Sequence, residues 1–251
     1  MSHLLSLAAG SVLDLAPGAV PGCAADAGYP LCGVRLADPA REVAAVAAAL
    51  ASTGVGLLDV EVVRLGPGPL TDADRVLAAA AAELGARFLL TVSHDPDEAG
   101  TVAKVAELAA LLAGTPTRVA LEPMLFTALR TREDAERVAG AVAGTVVLLD
   151  PLHLYRAGTP LGAPTDPALV GYAQLTDTAA TLAPSDLAHE ARHERVPPGL
   201  GVLPLATFLA ALPTGIPLSV EVQSDHLARG LDPTARARRL HASAAAVSGP
   251  S

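Results

Sequence analysis

Residues 145–150, TVVLLD, form a short and almost continuous apolar run that ends in a carboxylate. A run without polar alternation is typical of a strand that is covered on both faces in a parallel sheet. Seven further runs share this length and character. They are residues 3–8, 31–36, 55–63, 86–93, 117–122, 170–176 and 216–222. The sequence therefore predicts eight parallel strands.

Stretches rich in alanine and leucine, with a helical period, separate these runs. Pro39, and the pair Thr71 and Asp74, are typical of the first turn of a helix. The predicted helices are residues 39–52, 71–85, 97–113, 131–143, 185–193, 203–212 and 232–247. Eight strand–helix units in 251 residues have the size of a (β/α)8 barrel. We therefore predict an α/β fold, a parallel eight-stranded TIM barrel, as one domain over residues 1–251.

A doubly wound open sheet is the alternative fold. Such a sheet usually carries a glycine-rich phosphate-binding turn after an early strand. The segment AAGSVLDLAPG at residues 8–18 does not match such a turn. The sequence therefore favours the barrel.

The composition excludes several classes of protein. The chain has 17 basic residues against 26 acidic ones, without the basic patch that is typical of nucleic-acid binding. No apolar run approaches the ~20 residues of a membrane span. We therefore expect a small-molecule ligand, with neither nucleic acid nor membrane as a partner. Cys23 and Cys32 are too few for a disulfide framework, which indicates buried thiols and a cytoplasmic location.

Four of the predicted strands finish with a side chain that offers oxygen. These residues are Glu122, Asp150, Gln174 and Glu221. The carboxyl ends of the strands of a parallel barrel meet at one rim, where active sites lie. Three carboxylates would repel one another in a partly dry pocket there, and a divalent cation would remove the repulsion. Because all the donors are hard oxygens, the pattern favours Mg²⁺ or Mn²⁺ over zinc.

Other polar residues are predicted near the same rim. Glu61 lies in the third run and His94 follows the fourth, so we expect both to line the substrate pocket. Arg35, at the end of the second run, is a further candidate. Charges spaced by three residues on a helix usually form a solvated face. On the helix predicted at residues 185–193, we therefore interpret His189, Glu190 and Arg192 as solvent-facing.

Five segments resemble, in their order, the sugar phosphate isomerase/epimerase superfamily, the xylose-isomerase-like barrels. They are RVALEPM, LLDPLHLYRAG, YAQLTD, EARHERVPPGLGVLPL and LSVEV, and the similarity spans essentially the whole chain. The resemblance implies that Glu122, Asp150, Gln174 and Glu221 bind one divalent metal. Glutamine as the third ligand is similar to the hydroxypyruvate isomerase and bacterial 3-dehydroshikimate dehydratase branches. Barrels of this superfamily often form homodimers, although the sequence reveals no interface.

The resemblance also implies roles for residues beside the metal. His153 is expected to contact substrate oxygens, and Arg195 to hold a substrate oxygen or carboxylate. Arg156 is expected to contact the substrate as well. Many relatives carry glutamate inside the PGxG turn, where this chain has Leu200. That departure argues against an acid/base role at this position.

The predicted site suits enediolate chemistry. A divalent ion that chelates a carbonyl and a neighbouring hydroxyl stabilises the enediolate left when the adjacent C–H proton is removed, and Glu122 or Glu221 is the expected base. Return of the proton gives isomerisation or epimerisation of a small hydroxy-ketone, keto acid or sugar. Loss of a β-hydroxyl instead gives dehydration of a substrate like 3-dehydroshikimate. Few aromatic residues (2%, no Trp) favour a keto acid over a stacked sugar. A barrel that binds a ligand without turnover is the third hypothesis, supported only by Leu200.

Overall fold

The structure, a computed structural model, describes residues 3–249. Within this range the strands are β1 (Leu5–Leu7), β2 (Leu31–Arg35), β3 (Gly56–Leu65), β4 (Phe88–Ser93), β5 (Arg118–Leu121), β6 (Thr145–Leu149), β7 (Val170–Leu175), β8 (Asp177–Thr178), β9 (Arg195–Val196) and β10 (Leu218–Val220). Eight of them close into a barrel in the order β1-β10-β7-β6-β5-β4-β3-β2. Every neighbouring pair in the barrel is parallel. The predicted TIM barrel is therefore confirmed.

Helices cover the outside of the barrel. They are α1 (Val20–Ala27), α2 (Pro39–Thr53), α3 (Asp72–Glu83), α4 (Glu98–Leu111), α5 (Arg132–Ala141), α6 (Pro151–Arg156), α7 (Leu187–His193), α8 (Leu205–Ala211), α9 (Asp225–Gly230) and α10 (Pro233–Ser248). Thr71 and Thr131 open α3 and α5 with capping boxes. The sequence did not predict α1, α6 and α9, which are only six to eight residues long. Across residues 3–249, no helix combines the length and apolar character that crossing a membrane requires.

The main apolar core lies between the strands and the helices. Leu218 and Val220 of β10 belong to this layer, together with Phe208 of α8 and Leu240 of α10. Ser219 lies between the two aliphatic residues of β10 and is fully buried. Because successive side chains of a strand point to opposite faces, Ser219 faces the barrel lumen.

A second apolar cluster fills part of the lumen. Phe88 of β4 and Tyr172 of β7 stack there with ring centroids 4.8 Å apart, beside Val146 and Leu148 of β6. Gly171 makes this packing fit, because a Cβ at that position would lie 2.6 Å from a methyl group of Val146. The lumen is therefore packed with side chains, and a ligand site has to lie at one end of the barrel.

Two short strands outside the barrel organise the segment between β7 and β10. β8 pairs with β9 in antiparallel fashion, with Thr178 opposite Arg195. A single bridge joins Glu194 to Ser224, which follows β10. Arg195 therefore has a backbone that is fixed on both sides.

Candidate functional site

The four predicted oxygen-bearing residues come from four adjacent strands of the barrel. Glu122 directly follows β5, Asp150 follows β6 and Glu221 follows β10, while Gln174 is the last residue but one of β7. All four are almost completely buried. One side-chain donor atom from each of Glu122, Asp150 and His153 lies within 4.8 Å of the others. The closed barrel thus gathers residues that are far apart in the sequence at its carboxyl end.

Asp150 is the most firmly held of these residues. It is the N-cap of α6, and its Oδ1 accepts hydrogen bonds from the backbone N–H groups of Leu152 (2.6 Å) and His153 (3.3 Å). Its Oδ2 accepts a hydrogen bond of 2.7 Å from the guanidinium of Arg195. The first turn of α6 then carries His153 back to the site, with Nε2 3.7 Å from Oε1 of Glu122.

Glu221 fits its position because residue 10 is glycine. A Cβ on Gly10 would lie only 2.3 Å from Oε1 of Glu221. The same oxygen accepts a hydrogen bond of 3.1 Å from Nε2 of Gln223. Oε2 lies 3.4 Å from Nη2 of Arg195. Arg195 therefore bridges Asp150 and Glu221, two of the proposed metal ligands.

Gln174 carries a buried oxygen that has no hydrogen-bond partner. Within residues 3–249, its Oε1 and the Oγ of Ser219, the residue beside it on β10, both lack one. Leaving a buried acceptor unpaired costs free energy of the order of 1–3 kcal/mol. A cation or a bound water at this place would remove that cost.

The electrostatics of the site fit a divalent cation. Burial, followed by repulsion from Glu221 and Asp150, raises the pKa of Glu122 well above its usual range. Burial also raises the pKa of Glu221, against the opposing charge of Arg195. The three carboxylates share the one guanidinium of Arg195, and a divalent ion with oxygen ligands would relieve their mutual repulsion. The donor atoms present therefore fit such an ion.

The pKa values of Asp150 and His153 are both lower than usual. Burial would raise the pKa of Asp150, but the charges of Arg195 and His153 and their hydrogen bonds bring it below its usual range. Burial lowers the pKa of His153 to about 4, although Asp150 opposes that effect. His153 is therefore neutral near pH 7 and offers one N–H donor and one acceptor nitrogen.

A cavity opens beside these residues at the carboxyl end of the barrel. Among the residues that line it are Glu61, His94 and Arg35, as the sequence predicted. Several residues that the sequence did not predict as pocket-lining also line it, among them Arg64, Phe126, Arg192 and Gln223. The position of Gln223, two residues after Glu221, could have revealed it by strand alternation. Arg64 could not be found in this way, because the register of β3 shifts before it.

The structure does not bring Arg156 to this cavity. Its Nε donates a hydrogen bond of 2.9 Å to Glu190, and its Nη2 donates one of 2.8 Å to the carbonyl of Ala180. Glu190 is 2% exposed, so its interpretation as a solvent-facing residue is wrong. The reason is that α7 packs against the loop after β7, which provides Thr178 as a further partner of Glu190.

The position of Arg195 depends on Asp177 of β8 as well as on β9. Asp177 accepts hydrogen bonds from the backbone N–H groups of Gly199 (3.1 Å), Gly201 (3.0 Å) and Leu203 (3.0 Å). It thereby holds the turn that follows Arg195. Leu200, at the tip of this turn, is 61% exposed and lies outside the cavity.

The family model described as "Xylose isomerase-like TIM barrel" matches residues 24–245. The chain belongs to this family. Its membership agrees with the closed barrel and with the resemblance found in the sequence. No curated protein matches the chain.

Solved structures of the xylose isomerase-like type share the fold. The IOLI protein, whose structure holds a zinc atom, is 16% identical, with 98% of each chain covered and a TM-score of 0.80. D-allulose 3-epimerase from Methylomonas sp. is 18% identical, with 89% of this chain and 85% of that chain covered and a TM-score of 0.67. A xylose isomerase-like TIM barrel/4-hydroxyphenylpyruvate dioxygenase fusion protein is 19% identical, with a TM-score of 0.78. The match covers 97% of this chain and 42% of the fusion protein.

Proposed function

We propose that this protein is a divalent-metal-dependent isomerase or epimerase that acts on a small hydroxy-ketone, keto acid or sugar. One observation carries the proposal. Three buried carboxylates and a buried amide oxygen without a partner come from four adjacent strand ends at one rim of the barrel. Similar barrels include D-allulose 3-epimerase from Methylomonas sp., whose name describes an epimerisation.

Glu122, Asp150, Gln174 and Glu221 would hold the metal. When bound, a divalent ion supplies Lewis-acid stabilisation for negative charge on adjacent substrate oxygens. The hard oxygen donors of these four residues favour Mg²⁺ or Mn²⁺, while the imidazole of His153 beside them is a donor that zinc also takes.

The side chains of the chain itself would bind the substrate and move the proton. Glu122 and Glu221 lie at the cavity, and either, in its ionised form, can take a proton from a carbon next to a carbonyl. His153 is neutral and can donate its N–H to a substrate oxygen. Arg195, fixed by Asp150, can hold a second substrate oxygen. Return of the proton to the neighbouring carbon, with transfer of the hydroxyl proton from one substrate oxygen to the other, isomerises the substrate. Return of the proton to the opposite face of the same carbon epimerises it.

A metal titration combined with solvent exchange tests the proposal. The purified protein is titrated with Mn²⁺ by calorimetry and then incubated with keto acids and ketoses in deuterated water. We expect one ion per chain and deuterium uptake at the carbon beside the carbonyl. Loss of water from the substrate would instead identify a dehydratase. Absence of both metal binding and exchange would identify a barrel that binds a ligand without turnover.

A further inference from the structure

Four arginines line the cavity, and two of them have no carboxylate partner. Arg35 donates a hydrogen bond of 3.0 Å from Nε to Glu61, and Arg195 is bound to Asp150. Arg64 and Arg192 line the same cavity. Within residues 3–249, neither of these two forms a hydrogen bond or an ion pair with an acidic side chain. Their charges are therefore available to a ligand.

The two unpaired arginines approach the cavity from different elements. Arg64 is the last residue but one of β3. Arg192 lies on α7, and its guanidinium carbon is 5.7 Å from the centre of the Phe126 ring, within the range of a cation–π contact. That contact orients Arg192 but does not neutralise it. Both residues are exposed, so they stand at the mouth of the cavity and not at its buried end.

The neighbouring positive charges are close enough to affect one another. Partial burial lowers the pKa of the Arg64 guanidinium, and the charges of Arg35 and Arg192 lower it further. The charges of Glu61 and Glu122 offset this effect in part, and an anion bound between the two arginines would relieve the repulsion that remains. Guanidinium groups bind carboxylates and phosphates through paired N–H donors, which gives such a ligand directional contacts.

The rest of the cavity offers little stacking surface to a neutral sugar ring. Phe126 is its one aromatic lining residue other than histidine, and Arg192 already lies over that ring. Val62, Leu90 and Val92 provide aliphatic contacts only. A charged end group is therefore the ligand feature that the mouth of the cavity fits best.

We propose that Arg64 and Arg192 form a subsite for an anionic end group, a carboxylate or a phosphate, on a hydroxy-ketone substrate. This inference rests on the proposed function, because the opposite end of that substrate would reach Glu122 and Glu221. Such a subsite would make acidic hydroxy-ketones the preferred substrates among the hydroxy-ketones, keto acids and sugars proposed above.

Calorimetry with three matched ligands tests the subsite. D-fructose, D-fructuronate and D-fructose 6-phosphate share their first five carbons and differ in the group at the sixth: a hydroxymethyl, a carboxylate and a phosphorylated hydroxymethyl. Each ligand is titrated into the full chain with and without Mn²⁺. We expect at least one anion to bind about tenfold or more tightly than D-fructose, because charge-assisted hydrogen bonds are strong.

The variant that carries both Arg64→Gln and Arg192→Gln should lose this preference. Its affinity for D-fructose should stay within about twofold of the unmodified chain, since the neutral ligand does not use the arginines. Arg118→Gln, at the exposed start of β5 and the opposite end of the barrel, is the matched control and should keep the preference. A carboxylate preference identifies an acid as the substrate class, and a phosphate preference identifies a phosphate ester.

Two results overturn the subsite. One is an equal or undetectable affinity of all three ligands in the unmodified chain. The other is an anion preference that survives in the double variant. Failure to bind Mn²⁺ overturns the proposed function separately, and the titrations without metal then decide the subsite alone.

Discussion

At the scale of single residues, Glu221 combines a fixed position with a raised pKa. Gly10 provides the space for its carboxylate, and Gln223 and Arg195 orient the two oxygens. Burial is the main cause of the raised pKa. A carboxylate with this pKa is a stronger base than an exposed one, so Glu221 is suited to proton removal.

Glu221→Gln should abolish deuterium exchange while the chain still folds. Glutamine keeps the shape but cannot take a proton, and loss of a general base typically reduces a rate by about 10²–10⁴-fold. Exchange is measured by mass spectrometry and folding by circular dichroism. Glu83→Gln, on the exposed end of α3, is the control. Unchanged exchange in Glu221→Gln would remove this residue from the mechanism.

Asp59 is a buried carboxyl in β3 that the proposed chemistry does not use. Gly33, its neighbour on β2, leaves room for it, because a Cβ there would lie 2.0 Å from Oδ1. Burial, followed by the charge of Glu61, raises the pKa of Asp59 from 3.8 to about 8. Asp59 is therefore a neutral acid at neutral pH.

Asp59→Asn should stabilise the protein more at pH 8 than at pH 5. The unfolded chain ionises Asp59 near pH 4 and the folded chain only near pH 8, so this group lowers the free energy of unfolding as pH rises between those values. The slope is at most about 1.4 kcal/mol per pH unit. Asparagine does not ionise, so the variant lacks this part of the pH dependence. Urea unfolding at pH 5, 6.5 and 8 measures the difference, with Asp166→Asn on the surface as the control. If the free energy of unfolding varied with pH in the same way in the variant and the unmodified chain, Asp59 would be ionised in the folded protein.

At the scale of elements, the turn after β9 places Arg195. Asp177 of β8 accepts three backbone N–H groups of that turn, and it is itself buried. Gly201 has to be glycine here, since a Cβ would lie 2.3 Å from Oδ1 of Asp177. One carboxylate thus fixes the segment that follows Arg195, the arginine proposed to hold a substrate oxygen.

Asp177→Ala should lower the free energy of unfolding by about 2–4 kcal/mol, because three backbone N–H groups, one of them buried and two partly buried, lose their acceptor. We also expect weaker exchange activity, since Arg195 would no longer be held in place. Asp166→Ala is a matched control, because Asp166 is exposed and its carboxylate accepts the N–H of Ala168. A loss of stability no larger than that of the control would refute this role for Asp177.

At the scale of the whole molecule, metal binding should be linked to folding. An ion that binds only the folded chain stabilises it by about 2.7 kcal/mol at 100 times its Kd. For a chain of this length the corresponding rise in Tm is about 5–10 °C. Mn²⁺ should give this rise in a thermal melt, and a chelator should reverse it. Asp150→Asn should melt at the same temperature with and without the ion. Equal melting of the unmodified chain with Mn²⁺ and with chelator would contradict the metal site.

The affinity for the ion should also fall as the pH is lowered. Glu122 and Glu221 must be ionised to bind a cation, and their raised pKa values make protons stronger competitors than for ordinary carboxylates. Calorimetric titrations with Mn²⁺ at pH 7.5 and pH 5.5 measure the effect. An affinity that is the same at both values would mean that these carboxylates are already ionised in the metal-free protein.

The sequence by itself determined the barrel and the four strand-end residues. Apolar runs of strand length, separated by helical periods, are local patterns, and eight of them allow few folds. Glu122, Asp150, Gln174 and Glu221 were predictable because parallel strands carry their carboxyl ends to one rim. Each of these signals lies within a short segment, which is why the printed sequence is enough to find it.

Only the tertiary structure decided how the side chains around that rim are paired. Arg195 binds Asp150, whereas Arg156 is held by Glu190, away from the cavity. Arg64 and Arg192 meet at the cavity although one lies on a strand and the other on a helix. These pairings depend on the path of long loops and on which partner neutralises each buried charge. A local sequence pattern cannot predict these pairings, because the partners come together only when the whole barrel has closed.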